Sequence, residues 1–166
     1  MKYLLDSNTL IEAKNRYYNM TVCPAYWDWI IYSNGKNDVA SIEMVAAEIK
    51  KGNDELATWV DLNAGLFLPE SDAATQASFA KVLAALTAEV PKMKAGAFEE
   101  FVSGADPWLI AKAMSTGATV VTHEAYNPAI IRKFTIPNIC AKLSVPYLNT
   151  FQLLSQLDAR FVLKAA

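Results

Sequence analysis

The stretch KYLLDSN, residues 2–8, places an acid directly after a short apolar segment. Tyr3, Leu4 and Leu5 are typical of a buried β-strand, and the apolar run stops at Asp6. In an open sheet of parallel strands, active sites form beyond the carboxyl ends of the strands. An aspartate at the end of a core strand is therefore either the cap of the following helix or part of a functional site.

The rest of the chain alternates helical segments with short apolar ones, which predicts an α/β fold with a parallel sheet. After a predicted strand at 2–5, we expect a helix at 7–16 and a second one in PAYWDWIIYSN, which Pro24 begins and Gly35 ends. A third helix is expected in VASIEMVAAEIKKG after an extended lead-in, with Ser41 as N-cap and Gly52 as stop. Further helices are expected in NDELATWVDLNAG, over 71–90 (Ser71 as cap, Pro91 near the end) and in GADPWLIAKAMSTG. The strand ATVVT, the segments NICAKL and VPYL and a final helix TFQLLSQLDARF follow. Without a repeat or linker, the pattern predicts one domain over 1–166.

The composition favours a compact protein without a strong global charge. Hydrophobic residues make up 53% of the 166 residues, and the formal net charge is −2. Nucleic-acid binding would therefore need a local basic patch. We expect a reducing compartment, because Cys23 and Cys140 form no CxxC pair. We also expect no signal peptide, because Asp6 interrupts the apolar start, no membrane span, and a cytoplasmic location.

Further acids are predicted at the same edge of the sheet as Asp6. Glu124 follows the strand ATVVT, and Asp106 opens the helix before that strand. Glu43 and Glu48 lie on the helix after DVAS, on opposite sides of its buried stripe, so the periodicity does not choose between them. Four acidic groups could thus meet at one end of the sheet.

Each acid also has a simpler interpretation. Asp6 and Asp106 can cap helices, Glu124 can be an exposed loop residue, and Glu48 can lie on a solvated helix face. A cap contributes about 1 kcal/mol, whereas two carboxylates 4 Å apart repel by about 4 kcal/mol at an effective dielectric constant of about 20. Capping does not explain a cluster of four acids. A divalent cation does, and oxygen-only ligands favour Mg²⁺ or Mn²⁺ over zinc.

The segments YLLDSN, VAAEIKKG and ADPWLIAKAMSTGATVVTHE resemble the PIN domain, and the resemblance runs from residue 2 to about 155. It is similar to a PIN-like subgroup of uncharacterised bacterial proteins in which the first aspartate leads into a segment like IEAKNRYY. The separate motifs are short; their order is the specific feature. The resemblance implies a single-domain three-layer α/β/α fold with a central parallel sheet.

The resemblance also assigns roles to individual residues. Asp6 matches the first acid of the family, Glu48 the second and Asp106 the third, and Glu124 stands where many members carry a further aspartate. Asn8 and Thr122 match small polar residues that support the acids or bound water. Glu43 is the weaker candidate for the second acid. His123, the only histidine of the chain, is either a ligand or proton shuttle, or an exposed residue at the strand end.

PIN domains are metal-dependent nucleases that mostly act on RNA, and many are toxins of toxin–antitoxin pairs. The resemblance therefore implies a Mg²⁺- or Mn²⁺-dependent endoribonuclease acting on single-stranded RNA, with one or two metal ions. The alternative is an inactive PIN-like fold that binds protein or RNA. A haloacid-dehalogenase-type phosphatase is disfavoured, because Asn8 stands where its second aspartate is needed. A receiver domain is disfavoured, because the sequence lacks the two features that it needs, a paired acid at strand one and a phosphoacceptor aspartate at a mid-chain strand end.

Basic residues must hold the phosphates of an RNA substrate beside so acidic a site. Lys14 and Arg16, next to Tyr17 and Tyr18, are one weak candidate group, and Arg132 with Lys133 is another. Solvated surface charge explains both groups equally well. The expected protein partners are a cognate antitoxin and a second copy of the chain, because the aromatic-rich segment 17–32 could supply an apolar patch.

Overall fold

The computed structural model describes residues 2–162. The predicted domain 1–166 extends beyond this range, so residue 1 and residues 163–166 lie outside the described part.

A five-stranded sheet forms the centre of the molecule, with the strand order β3-β2-β1-β4-β5. All neighbouring pairs are parallel, and Tyr3 on β1 lies level with Val39 on β2 and Thr119 on β4. The prediction of a parallel α/β sheet is therefore confirmed. The strands are short: β1 Tyr3–Leu5, β2 Val39–Ile42, β3 Phe67–Leu68, β4 Thr119–Val121 and β5 Tyr147–Leu148.

Helices cover the sheet and complete the predicted three-layer α/β/α fold. The α-helices within residues 2–162 are α1 Ser7–Glu12, α2 Pro24–Gly35, α3 Glu43–Lys50, α4 Glu55–Leu62, α5 Ala73–Glu89, α6 Ala97–Val102, α7 Asp106–Thr116, α8 Ile136–Leu143 and α9 Thr150–Gln156. A π-helical turn, Ala13–Tyr17, continues α1, and 3₁₀ turns occupy Ala64–Leu66 and Val90–Lys92.

Two predicted helix caps are wrong. Ser41 lies inside β2, where its hydroxyl donates to the carbonyl of Leu5 at 2.6 Å, and α3 begins two residues later. Asp72, rather than Ser71, caps α5 by accepting a hydrogen bond from the amide of Thr75 at 2.9 Å. A contact with the neighbouring strand uses the hydroxyl of Ser41, whereas at α5 the adjacent aspartate provides the cap in place of serine.

The long helices α5 and α7 pack against each other through an aromatic and an ionic contact. Phe79 stacks on Trp108 with ring centroids 3.7 Å apart. The buried Lys112 ammonium reaches the carboxylate of Asp72 at 2.7 Å and the carbonyl of Pro69 at 2.8 Å. These contacts fix α7, and with it Asp106 at the start of this helix, against the rest of the fold.

The aromatic segment 17–32 contributes mainly to the core. Tyr26 and Trp27 are buried, while Tyr17 and Tyr32 keep about half of their surface exposed. Cys23 and Cys140 are both free. No helix in the described range is long and apolar enough to cross a membrane.

Candidate active site

The carboxyl ends of β1 and β4 lie side by side at the centre of the sheet. Leu5 is level with Val121, and the amide of the next residue, Asp6, donates to the carbonyl of Val121 at 2.9 Å. The chain continues from β1 to β2 on one side and from β4 to β5 on the other, so the gap between β1 and β4 is the topological switch point at which open α/β sheets bind ligands. The hydroxyl of Thr122 donates to Asp6 Oδ2 at 2.9 Å, which fixes the carboxylate at this edge.

A cleft of about 250 Å³ opens above this point. Three of the four predicted acids line it, namely Glu48, Asp106 and Glu124, together with Ser7 and Asn8. Asp6 is only 1% exposed and is therefore enclosed in the protein at the base of this region. The structure thus brings acids from β1, α3, α7 and the end of β4 together at one edge of the sheet.

Glu48 faces the cleft, and Glu43 does not. Glu48 Oε1 accepts a hydrogen bond from the amide of Ala105 at 2.7 Å, which links α3 to the turn before α7. Glu43 is exposed at the first turn of α3, outside the described lining of the cleft. Helical periodicity did not choose between Glu43 and Glu48, and the position of the turn at residues 103–105 decides in favour of Glu48.

Asp106 does not cap the helix that it opens. The N-cap of α7 is Ala105, and no side chain forms a capping hydrogen bond there. Asp6 occupies the N-cap position of α1, also without a capping hydrogen bond from its side chain. Helix capping therefore does not explain the position of either carboxyl group, the buried one of Asp6 or the half-buried one of Asp106.

Glu124 is tied to the helix that follows it. One carboxylate oxygen contacts the Lys133 ammonium at 2.7 Å, and the other accepts from the amide of Ile136, the first residue of α8, at 2.8 Å. Its side chain is only 14% exposed. The interpretation of Glu124 as an exposed loop residue is therefore wrong, because the backbone brings α8 back against it.

Mutual repulsion and burial favour the protonated forms of the two aspartates. Burial, followed by the charges of Asp6, Glu124 and Glu48, raises the pKa of Asp106 to about 8. Burial raises the pKa of Asp6 to about 6, against the hydrogen bond from Thr122, and Glu124 and Glu48 raise it further. Perturbed pKa values of this kind are typical of functional sites, although ion-pair networks also produce them.

The donor chemistry of the cleft fits a hard divalent cation, because every acidic donor is a carboxylate oxygen and a cation would relieve the repulsion. The side chains do not form a ready ligand set for a cation, because within residues 2–162 no group of three or more His, Cys, Asp or Glu residues is arranged to hold a metal ion. Glu48 and Glu124 explain this, because their oxygens are turned to Ala105, Lys133 and Ile136. Metal binding would require these two side chains to exchange partners.

His123 points away from the cleft. Its Nε2 lies 3.0 Å from the hydroxyl of Thr150, and its ring packs against Tyr17 and Phe151 with centroids 5.8 and 5.9 Å away. Burial lowers its pKa. His123 is therefore neither a ligand in the cleft nor a fully exposed residue at a strand end. It belongs to an aromatic cluster beyond the carboxyl ends of β4 and β5.

The predicted RNA-binding residues lie in different surroundings. Lys14 pairs with Asp54, and Arg16 pairs with Glu12 at 3.0 Å, so intramolecular acids already neutralise both. Arg132 is exposed. Lys133 lines the acidic cleft itself, a position that the sequence did not indicate.

Sequence reasoning missed the part of the cleft wall that α6 forms. Glu100 and Phe101 on this helix line the cleft. The segment AFEEFV is too short to give a helical signal, although its paired phenylalanines at 98 and 101 have helical spacing. Glu100 adds a further carboxylate to the cleft lining.

Residues 3–161 match the family model described as "Domain of unknown function (DUF4411)". The chain belongs to the DUF4411 family. DUF4411 is a PIN-like family, so the resemblance to the PIN domain is confirmed. No curated protein matches the chain.

Two solved structures share the fold of this DUF4411 chain. VapBC-1 from nontypeable Haemophilus influenzae superimposes with a TM-score of 0.55 at 15% identity, over 90% of this chain and 98% of that one. FitAcB from Neisseria gonorrhoeae gives a TM-score of 0.53 at 21% identity, over the same shares of the two chains. At these identities the likeness concerns the fold alone.

Proposed function

We propose that this DUF4411 protein is a metal-dependent endoribonuclease that hydrolyses phosphodiester bonds of single-stranded RNA. The observation that carries the proposal is a pair of aspartates, the buried Asp6 and the half-buried Asp106, which form no capping hydrogen bond with their side chains and share one charge cluster with Glu48 and Glu124. Hydrogen bonds and Lys133 compensate only part of this cluster, and buried carboxylates left without a partner cost folding free energy, so a ligand of opposite charge is its simplest explanation.

The cation would be Mg²⁺ or Mn²⁺, held by Asp6, Asp106, Glu48 and Glu124. When bound, such an ion makes a coordinated water more acidic and neutralises charge on a phosphoryl group. Asp6 would be oriented for this by Thr122. Asn8, which is exposed beside the cleft, is placed to contact water or substrate.

Lys133 would contribute the positive charge that the substrate needs. Its ammonium donates to Glu124 at 2.7 Å, and this hydrogen bond, followed by the charges of Glu124, Asp106 and Glu100, raises its pKa, so it remains protonated at neutral pH. A phosphate entering the cleft would meet this ammonium as a hydrogen-bond donor. No covalent nucleophile is required, since hydrolysis uses water.

The direct test is a cleavage assay. Wild-type protein, Asp6→Asn and a surface control, Asp158→Asn, are incubated with labelled single-stranded RNA in Mn²⁺ and in EDTA. We expect cleavage by the wild type and the control in Mn²⁺ alone, and a loss of at least about 10² in rate for Asp6→Asn. Metal-independent cleavage, or equal rates for all three proteins, would remove the proposal.

We also propose that the protein acts as the toxin of a toxin–antitoxin pair, as many PIN domains do. An antitoxin segment carrying Arg or Lys could enter the acidic cleft and silence it by pairing with the carboxylates. Expression in the native host should slow growth, and affinity purification should recover a second polypeptide. Normal growth together with recovery of the chain alone would count against the toxin role. The nuclease proposal would then depend on the cleavage assay only.

A catalytically inactive PIN-like fold that binds protein or RNA is the second candidate. The absence of an assembled ligand set among the described residues favours it. RNA binding in EDTA without cleavage in Mn²⁺ would be its signature.

A further inference from the structure

A second cavity adjoins the acidic cleft. It encloses about 350 Å³ between the 3₁₀ turn that follows α5, the segment 126–134 and α8, a volume within the range of small-molecule binding sites, about 300–1,000 Å³. Its walls are largely apolar, with Met93, Ile130 and Ile139 among them and the half-exposed ring of Tyr126 at its side.

The two cavities share part of their walls. Lys133 and Phe134 line both of them, and Lys133 also contacts Glu124 in the acidic cleft. A ligand that fills the second cavity therefore has a charged group of the first within reach. No other residues are common to the two linings over the described range.

The second cavity is the basic region that the chain as a whole lacks. Its charged lining residues in the described structure are Lys92, Lys133 and Lys142 against Glu89. Because Lys133 also pairs with Glu124, the surplus is one positive charge, in a protein whose net charge is −2. Lys92 and Lys142 meet the carboxylate of Glu89 at 3.1 and 3.0 Å. Each ammonium has three donors, so both retain donors for a further anion.

The wall of the cavity is preformed. The side-chain amide of Asn138 donates to the carbonyl of Asn127 at 2.8 Å, and its oxygen accepts from the amide of Asn127 at 3.0 Å. On the other side, the amide of Lys94 donates to the carbonyl of Ile131 at 2.8 Å. These bonds hold the segment 126–134 open against α8, which lowers the entropic cost of binding.

We propose that this cavity binds the base of a nucleotide next to the scissile phosphate of single-stranded RNA. The inference rests on the proposed nuclease function and adds a substrate subsite to it. Apolar walls and the Tyr126 ring suit an unstacked base, and lysines at the rim suit the phosphates on either side of it. Lys133, at the junction, contacts the phosphate that joins the two sites. The surplus positive charge favours an RNA strand over an apolar peptide as occupant.

The test fills the cavity without removing a charged group. Ala141 lines the cavity and is exposed on α8, so Ala141→Trp adds an indole where the base would lie. The matched control is Ala77→Trp on α5, where the alanine is exposed and lines neither cavity. Cleavage of a short RNA is followed in Mn²⁺, and binding of the same RNA is followed by fluorescence anisotropy in EDTA.

We expect Ala141→Trp to raise KM and the dissociation constant by about tenfold or more, with a smaller change in kcat, and Ala77→Trp to match the wild type. Unchanged KM and RNA affinity in Ala141→Trp would overturn the subsite. The subsite would also be overturned if Ala141→Trp bound RNA as tightly as the wild type but lost a co-purifying protein, because the occupant of the cavity would then be a peptide.

Failure of the nuclease proposal is distinguishable. If the wild type cleaves no RNA, binding of the four nucleoside 5′-monophosphates is measured by NMR on wild type and Ala141→Trp. Shifts at cavity residues that disappear in the variant would support a nucleotide site on its own. The absence of such shifts in the wild type would end the inference.

Discussion

Asp106 opens α7 without capping it, and its carboxyl group carries a raised pKa. Asp-Pro at a helix start is the expected signal of a cap, and a metal-binding acid at the same place has the same local sequence. Only the three-dimensional contacts separate them: the side chain of Asp106 makes no cap and faces three other acids. Glu48 was likewise selected over Glu43 by a turn far away in the sequence.

The hydrogen bond from Thr122 to Asp6 should stabilise the ionised carboxylate. In EDTA, Thr122→Val should lower the free energy of unfolding at pH 8 by about 1.5–3 kcal/mol, the range for hydrogen bonds to charged groups. The loss should be smaller at pH 5, below the pKa of about 6 at which Asp6 becomes protonated. Urea unfolding at both pH values measures the difference.

Thr9→Val is the matched control, because the buried Thr9 hydroxyl donates to the backbone carbonyl of Asp6 and not to its carboxylate. Its cost should be similar at pH 5 and pH 8. If Thr122→Val showed the same cost at both pH values, the bond would serve packing and not the charge on Asp6.

At the level of elements, long periodic segments and Gly or Pro signals were predictable, as α2 and α7 illustrate. The two-residue strand β3 and the short helix α6 were not, since neither is long enough to show a period. The predicted helix 7–16 continues as a π-helical turn from Ala13, and no pattern in the sequence marks that change. The candidate cleft depends on these missed parts, because α6 and the turn after it form one of its walls.

The turn between α6 and α7 should tolerate only glycine at residue 104 without disturbing the cleft. A Cβ at Gly104 would lie 3.2 Å from Glu48 Oε1, so Gly104→Ala should push the glutamate away from the amide of Ala105. Because Glu48 must leave this amide to contact a cation, we expect a severalfold rise in Mn²⁺ affinity, with less than about 1 kcal/mol lost in stability. Isothermal titration and urea unfolding measure the two effects.

Gly65→Ala provides the comparison, because a Cβ there meets nothing within 4 Å. It should leave metal affinity unchanged. Equal metal affinities for the two alanine variants would mean that the position of Glu48 does not matter to the cation.

At the scale of the whole molecule, the acidic cleft should give the stability a pH dependence. A carboxyl group whose pKa is raised in the folded state stabilises the protein below the unfolded pKa, and this contribution is lost as the pH rises through the folded pKa. For Asp106 the window runs from about pH 4 to about pH 8. His123 has the opposite effect below its ordinary pKa, because burial lowers its pKa.

Comparison with Asp106→Asn isolates the aspartate, because His123 is present in both proteins. In EDTA, the two proteins should have similar stability near pH 4, and the variant should become increasingly the more stable one as the pH rises to 8.5. Thermal unfolding across this range measures the divergence. Parallel curves for the two proteins would show that Asp106 ionises as freely as an exposed aspartate.

The central claim is that Asp106 belongs to a cation site, and the melting of wild type and Asp106→Asn with and without Mn²⁺ at pH 8.5 tests it most directly. Without metal, the variant should melt at or above the wild type, because one charge of the cluster is gone. With free Mn²⁺ at 100 times its dissociation constant, the wild type should gain about 2.7 kcal/mol and the variant much less, so the order reverses. RNA cleavage should fall by orders of magnitude in the variant. Equal stabilisation by Mn²⁺ and equal cleavage by the two proteins would contradict the metal site.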